Sequence, residues 1–361
     1  MATEPDAPLR ADLKREEERA GRNLWRGLVS LGVLVALVVG LLLAVPGLHG
    51  VADQVAEMDV PWLIVAVVLE ILSCLGYVFA FLQVFDRAPV RFGARVALSE
   101  LAFGAAVSLG GAGSVAIGAL LLVERGGPPG RVAELSAVLF LLTSAVNVIT
   151  LVLAGLGLWT GLLPGPHNVL LSLVPAAVGT VTLLFFLALP WISERYVDLS
   201  RPGRMRAVLR ETAITIRWTK RLMFSRDWRL LGAFGFLWFD IGVLAACFAA
   251  AGHVPPLATL VLAYQIGYLS NILPIPGSVG ILDGSIVGMF VLYGTGATLV
   301  TAATVVYHAI ALWIPAMWGT IAFLILRRSR GEPLALRPPR EERQRLREER
   351  RRIRADRRAE S

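Results

Sequence analysis

No Lys or Arg falls inside any of the long apolar runs of this 361-residue chain. All 35 basic residues collect in five stretches between or beyond those runs. A soluble domain scatters its charges over its whole surface and is about 25% charged; this chain is 17% charged and 56% hydrophobic. An unaided water-soluble fold is excluded, because so much apolar surface has nowhere to hide. A disordered chain is excluded by the same excess. Charge segregated in this way marks a polytopic membrane protein and not a nucleic-acid binder, so no specific nucleic-acid partner is expected.

Runs long enough to cross a bilayer, about 20 residues each, occupy Leu28–Val45, Pro61–Phe85, Val132–Leu158, Val169–Trp191, Leu230–Ala251 and Leu299–Leu326. Six full spans are therefore expected. The first is read as a retained signal-anchor helix, because it is long for a signal-peptide core and no A-x-A site follows it. Two further runs, Ala97–Val123 and Leu257–Tyr293, are interrupted by Gly and Pro.

The basic residues fix an orientation. They lie in the segment up to Arg26, in Asp86–Arg95, in Glu124–Arg131, in Ile192–Arg229 and in the tail from Arg327. The connections at 46–60, 159–168, 252–256 and 294–298 hold none. The positive-inside rule assigns the first five to the cytoplasm and the other four to the outside, with both termini cytoplasmic and the plasma membrane as the expected location. Ala97–Val123 then begins and ends inside, and at about 1.5 Å per residue it is far too short to cross twice. Leu257–Tyr293 begins and ends outside; its two halves are near the lower limit for spanning, so a full hairpin and a re-entrant loop are both open, and its uncharged connector favours re-entry. Each is expected to be a re-entrant, broken-helix element. The fold class that follows is an all-α polytopic membrane protein: six transmembrane helices plus two opposed re-entrant elements in an inverted repeat, the arrangement that places transporter sites near the midplane. The echo of Gly113-Ser-Val115 in Gly277-Ser-Val279, one at each break, supports the repeat. The domain expectation is a basic N-terminal segment (1–26), a transmembrane domain (27–328) carrying an amphipathic basic connection (192–229), and an Arg/Glu-rich tail (329–361).

Irregular backbone at membrane depth survives where it is buried in protein or lines a cavity. Each break opens a new half-helix whose first N–H groups are unpaired and carry the positive dipole end. Such ends hold phosphate or carboxylate. The expected substrate-binding residues are Gly110, Gly111, Gly113 and Ser114 at the first break and Pro274, Pro276, Gly277 and Ser278 at the second, with both serines in the N-cap position. Asp283, five residues past the Pro-x-Pro-Gly break, joins them. An ionised acid at the bilayer centre costs about 2.5–3.5 kcal/mol, so such groups face a cavity or a partner. Glu70, Asp240 and His308 accordingly read as proton or ion relay candidates, whereas Glu100 and Glu134, near the ends of their runs, read as interfacial. Asn147, Gln265 and Asn271 read as polar joints between helices. Cys74 and Cys247 stand in separate runs with no metal spacing. No catalytic residue, metal or cofactor is expected. The basic connection at 192–229 is expected to lie on anionic inner-leaflet phospholipids.

At its breaks the chain resembles the transmembrane-region family of lysylphosphatidylglycerol synthases, the flippase-like membrane proteins. Leu273-Pro-Ile-Pro-Gly-Ser-Val-Gly-Ile-Leu-Asp283 is similar to that family's P-x-P-G-G-x-G-x-x-E. Ser108-Leu-Gly-Gly-Ala-Gly113 resembles its first Gly-rich element, and Val306-Tyr-His-Ala-Ile-Ala-Leu-Trp-Ile-Pro315 its last-helix pattern Y-R…W-x-P. Leu109, Val115 and Gly118 stand where the family has Pro, Glu and Arg; Asp283 replaces Glu and His308 replaces Arg. The resemblance implies translocation of a phospholipid or polyprenyl-linked lipid, with membrane lipids as partners. A non-transporting accessory subunit, with a protein partner or a second copy, is the alternative. A membrane-embedded lipid-modifying enzyme ranks third, since no metal cluster or nucleophile–base pair is legible.

Overall fold

The computed structural model describes residues 19–33, 36, 49–106, 110–166, 168–196, 204–224, 227–268 and 278–329. Those residues form helices and short connections, with no strand among them. Helix α1 covers 19–33; the others are α2 (His49–Ala56), α3 (Val60–Val84), α4 (Val90–Ala106), α5 (Gly110–Glu124), α6 (Pro129–Trp159), α7 (Val169–Tyr196), α8 (Arg204–Met223), α9 (Leu230–Ala250), α10 (Leu257–Tyr268), α11 (Ser278–Leu292) and α12 (Ala297–Arg328). Helices α3, α6, α7, α9 and α12 are long and apolar enough to cross a membrane. The expected sixth span, 28–45, lies outside the described residues beyond position 36, apart from its start in α1. So does the charged tail from position 330.

The core is organised about an antiparallel pair, α3 and α9. The Asp59 N–H donates to the Ala250 carbonyl at 2.9 Å where α3 starts and α9 ends, and Ser73 Oγ donates to the Phe236 carbonyl at 2.8 Å. The close approach needs glycine on both sides. A Cβ at Gly76 would stand 2.6 Å from the Phe236 nitrogen, and one at Gly232 would stand 2.7 Å from the Gly76 carbonyl oxygen. Small residues allow helices this contact in a membrane, where apolar side chains gain nothing by leaving lipid for one another.

Around this pair the packing repeats. Let α3, α4, α5 and α6 exchange with α9, α10, α11 and α12. Every substantial pairing among these eight helices then maps onto another: α4 on α12 with α10 on α6, α4 on α5 with α10 on α11, α5 on α6 with α11 on α12, α3 on α12 with α9 on α6. The turns repeat as well. After α5, Gly126 (φ 90°) donates to the Val123 carbonyl and Gly127 to that of Leu122. After α11, Gly294 (φ 90°) donates to the Val291 carbonyl and Thr295 to that of Phe290. Both are helix ends closed by a left-handed glycine, and they stand a constant 168 positions apart. The Gly-Ser-Val echo is 164 positions apart, one helical turn out of this register. In the structural register Asp283 corresponds to Val115, not to a residue of the echo.

The two ends of the bundle also match the charge pattern. Arg125 Nη2 donates to the Leu326 carbonyl at 2.9 Å and Arg229 Nη1 to the Leu82 carbonyl at 3.2 Å, so four basic stretches meet at one end. At the other end Gln54 Nε2 reaches the Ala251 carbonyl and Tyr293 Oη the Leu171 carbonyl. The pair α4/α5 starts and finishes at the basic end, and α10/α11 at the uncharged end. At 12 to 17 residues each of these four helices falls short of the roughly 30 Å hydrocarbon thickness at about 1.5 Å per residue.

Helix α8 forms inside the basic connection, as its alternation of basic and apolar residues requires. It packs on α6 and α7, burying Ala213, Thr215, Ile216 and Thr219 and leaving Arg217 and Lys220 exposed.

Candidate functional site

Asp240 stands near the middle of α9 and draws in three helices. Tyr264 of α10 donates a short hydrogen bond to its Oδ2. The Tyr307 hydroxyl of α12 lies 3.1 Å from Oδ1 and 3.2 Å from Oδ2. Both tyrosines are buried, and their rings meet edge to face at 6.3 Å. Glu70 of α3 and His308 of α12 are buried and lie within electrostatic reach of Asp240. Cys74, one turn along α3, donates a thiol contact to Glu70 Oε1 at 3.7 Å, while Oε2 is buried with no hydrogen-bond partner among the described residues. Phenols supply neutral donors to the half-buried Asp240 carboxyl group, which is how an acid inside an apolar bundle is tolerated.

Glu70 and Asp240 occupy matching places. Each lies ten residues beyond the first residue of its helix, Val60 and Leu230. The antiparallel register, with Asp59 against Ala250 and Ser73 against Phe236, sets them across from each other where the helices cross. Two carboxyl groups thus stand within electrostatic reach of each other near the α3–α9 crossing. The structure brings all three relay candidates of the sequence, Glu70, Asp240 and His308, into one cluster. It adds Tyr264 and Tyr307, which sequence reasoning did not single out as site residues.

A second buried acid corrects an expectation. Glu100 is 1% exposed and not interfacial. Its Oε2 accepts from Tyr77 Oη at 2.7 Å, and its carboxylate fills the space that a side chain at Gly118 would take. The fold of α4 back on α5 carries it inward. At Gly118, where the family pattern has Arg, this chain therefore has a neighbour's carboxylate. The other hairpin crosses at the matching point with the glycine on the opposite helix: Gly267 of α10 abuts Ile286 of α11. Glu134 stays at the surface, paired with Arg131 at 2.7 Å.

The breaks are described only in part. Pro274, Pro276 and Gly277 lie outside the described residues. Ser278 opens α11 and Asp283 lies in its second turn, with only their backbone described. Helix α5 begins at Gly110, so Gly110, Gly111 and Gly113 sit inside its first turn. Ser114 follows them, four residues beyond the helix start. It is therefore not the N-cap that the sequence suggested. Of the polar joints, Gln265 Nε2 reaches the Asn147 backbone carbonyl at 3.3 Å and ties α10 to α6. Among the described residues no three of His, Cys, Asp and Glu are placed to hold a metal ion.

The family described as the lysylphosphatidylglycerol synthase TM region matches residues 27–319. The chain belongs to that family. It is also similar to a UPF0104 membrane protein of Methanothermobacter thermautotrophicus, 42% identical over 84 residues. That match covers 23% of this chain and 24% of the relative's length. The lysylphosphatidylglycerol synthase TM-region match spans both hairpins and the α3–α9 pair, so the two-fold core up to residue 319 of α12 falls within the family match. A membrane protein with a lipid-related role is what this membership supports.

Proposed function

We propose that this protein moves a phospholipid or polyprenyl-linked lipid between leaflets, through a midplane site to which the two hairpins contribute. The observation that carries this reading is the two-fold packing of two short helix pairs, entering from opposite ends, around an acid pair near the α3–α9 crossing. Re-entrant half-helices direct their N-terminal N–H groups toward a head-group phosphate or carboxylate. Asp283 and Ser278 act at the second break, and Gly110 to Ser114 at the first. Asp240, with Glu70 and His308, relays a proton or ion, while Tyr264 and Tyr307 couple that cluster to α10 and α12. The protein works as a transporter and not as an enzyme, in the plasma membrane with both termini cytoplasmic.

The test is a leaflet-resolved assay on purified protein in proteoliposomes with a panel of head groups. Asp283→Asn and Asp240→Asn are expected to reduce translocation to the rate of empty vesicles while the protein stays folded by thermal unfolding. Wild-type rates from both variants would remove these acids from the mechanism.

A second reading, an accessory subunit held by other membrane proteins, draws on α7. Its Val174, Val178, Val181, Leu184 and Phe185 face outward, leaving it the least buried of the five spans. Stoichiometric co-purification of another protein, with no lipid movement, favours that reading.

A further inference from the structure

Glu70, Cys74 and Tyr77 stand at positions i, i+4 and i+7 of α3, so they share one face of that helix. All three are buried. At one end of this stripe Glu70 lies within electrostatic reach of Asp240, and at the other the Tyr77 hydroxyl donates to Glu100 Oε2 at 2.7 Å. Between them the Cys74 thiol donates to Glu70 Oε1 at 3.7 Å. The second oxygen, Glu70 Oε2, is buried with no hydrogen-bond partner among the described residues, which leaves a place for a proton on the stripe. We propose that Glu100 is a further proton-carrying carboxyl of the relay, and that it joins the Glu70–Asp240 pair to the first hairpin through Tyr77. This deepens the proposed relay, rests on it and makes its coupling ion a proton.

The position of Glu100 suits that task. Tyr77 lies seven residues, roughly 10 Å, from Glu70 toward the basic end. Its ring leans back over the preceding turn, as helical side chains do. There it packs on Phe236, 5.1 Å between ring centres, at the level where Ser73 reaches the Phe236 carbonyl. One turn beyond Glu100 toward the hairpin tip, a Cβ at Gly104 would stand 3.5 Å from the Ser114 Cβ. Glu100 therefore sits one turn from the first break. The second hairpin makes its crossing with Gly267 against Ile286, so the fold needs no acid at such a crossing. Few charged groups surround Glu100. Helix α3 offers Tyr77, α5 has no titratable side chain between Ser114 and Glu124, and α12 has none between His308 and Arg327. On α4 itself Arg95 is five residues away, and α1 meets α4 at Ala106 through Gly27, with its Arg22 and Arg26 exposed. In one transfer a proton leaves the Glu70–Asp240 pair and a proton arrives on Glu100 Oε2. Tyr77 gives up its hydroxyl proton and takes back another from the Cys74 side, so the phenol ends neutral.

The test uses the full chain in proteoliposomes with a fluorescent phosphatidylglycerol whose leaflet is read by quenching. Rates are compared at equal pH and across a gradient of about one pH unit, worth about tenfold in proton activity. The ratio of the two rates is expected to be several-fold for the wild type and for Glu100→Asp, and to fall to one for Glu100→Gln and Tyr77→Phe. Glu134→Gln, at the surface, is expected to keep the wild-type ratio. A second measurement needs no lipid movement: infrared difference spectra of the purified protein through a pH titration. Glu100→Gln is expected to remove one carboxyl band, and Glu70→Gln to shift that same band. A wild-type ratio of one, a Glu100→Gln or Tyr77→Phe protein that keeps a several-fold ratio, or a Glu100 band indifferent to Glu70→Gln would overturn the link. Coupled bands in a protein that moves no lipid would count against the proposed function and leave the Glu100 link standing.

Discussion

The single residue that says most about this chain is Gly118. A Cβ there would occupy the position of the Glu100 carboxylate, which itself holds Tyr77. Gly118→Ala must either displace that carboxylate or part α4 from α5, and overpacking of this kind costs about 1–3 kcal/mol. Glu100→Ala alone leaves the Tyr77 hydroxyl without its acceptor and costs stability too. Combined, the two changes relieve each other. The double variant is expected to unfold at a higher temperature than the sum of the single losses allows, a coupling of roughly 0.5–3 kcal/mol. Strict additivity would mean that the two sites do not touch. Glu100 also shows why residue-level reading from sequence has a limit. It stands near the charged end of its run, so charge pattern alone places it at the interface; only the fold of α4 on α5 takes it inside. Tyr264 and Tyr307 were silent for a related reason. Their partner is 24 and 67 positions away, and a tyrosine in an apolar run reads as packing until its hydroxyl finds an acceptor.

At the scale of elements, the spans were legible and the crossings were not. Long apolar runs declare themselves because lipid demands them, and the observed helices fall within a few residues of the runs at 61–85, 132–158, 169–191, 230–251 and 299–326. Where two helices touch depends on a few small residues that look like any others. The α3–α9 crossing rests on Gly76 and Gly232. Gly76→Leu or Gly232→Leu is expected to lower the thermal midpoint in detergent by many degrees, because backbone and not a movable side chain blocks the new atoms. Gly288→Leu, on an exposed position with nothing within 4 Å, is expected to leave the midpoint unchanged. Equal effects from all three would mean that α3 and α9 are not held by close backbone contact. The breaks show the same limit. The short Gly-Ser-Val echo is one turn out of the structural register, since α5 begins at Gly110 and α11 at Ser278.

For the whole molecule, charge carried more information than composition. The distribution of basic residues divided the connections into two groups, and the hydrogen bonds of Arg125 and Arg229 at one end and of Gln54 and Tyr293 at the other join members within each group. The two-fold exchange of helices then makes the hairpins opposite in sense, and the acid pair Glu70 and Asp240 stands near the α3–α9 crossing. The proposed midplane site requires the two hairpins to enter from opposite sides of the membrane. That requirement can be read with one labelling experiment. Gly130 and Gly296 follow the turns after α5 and α11, are exposed, and have nothing within 4 Å of an added Cβ; the native Cys74 and Cys247 are buried and stay silent. In intact cells a membrane-impermeant maleimide is expected to label Gly296→Cys at once and Gly130→Cys only after permeabilisation. Labelling of both from the same side would contradict the inverted two-fold and the midplane site with it.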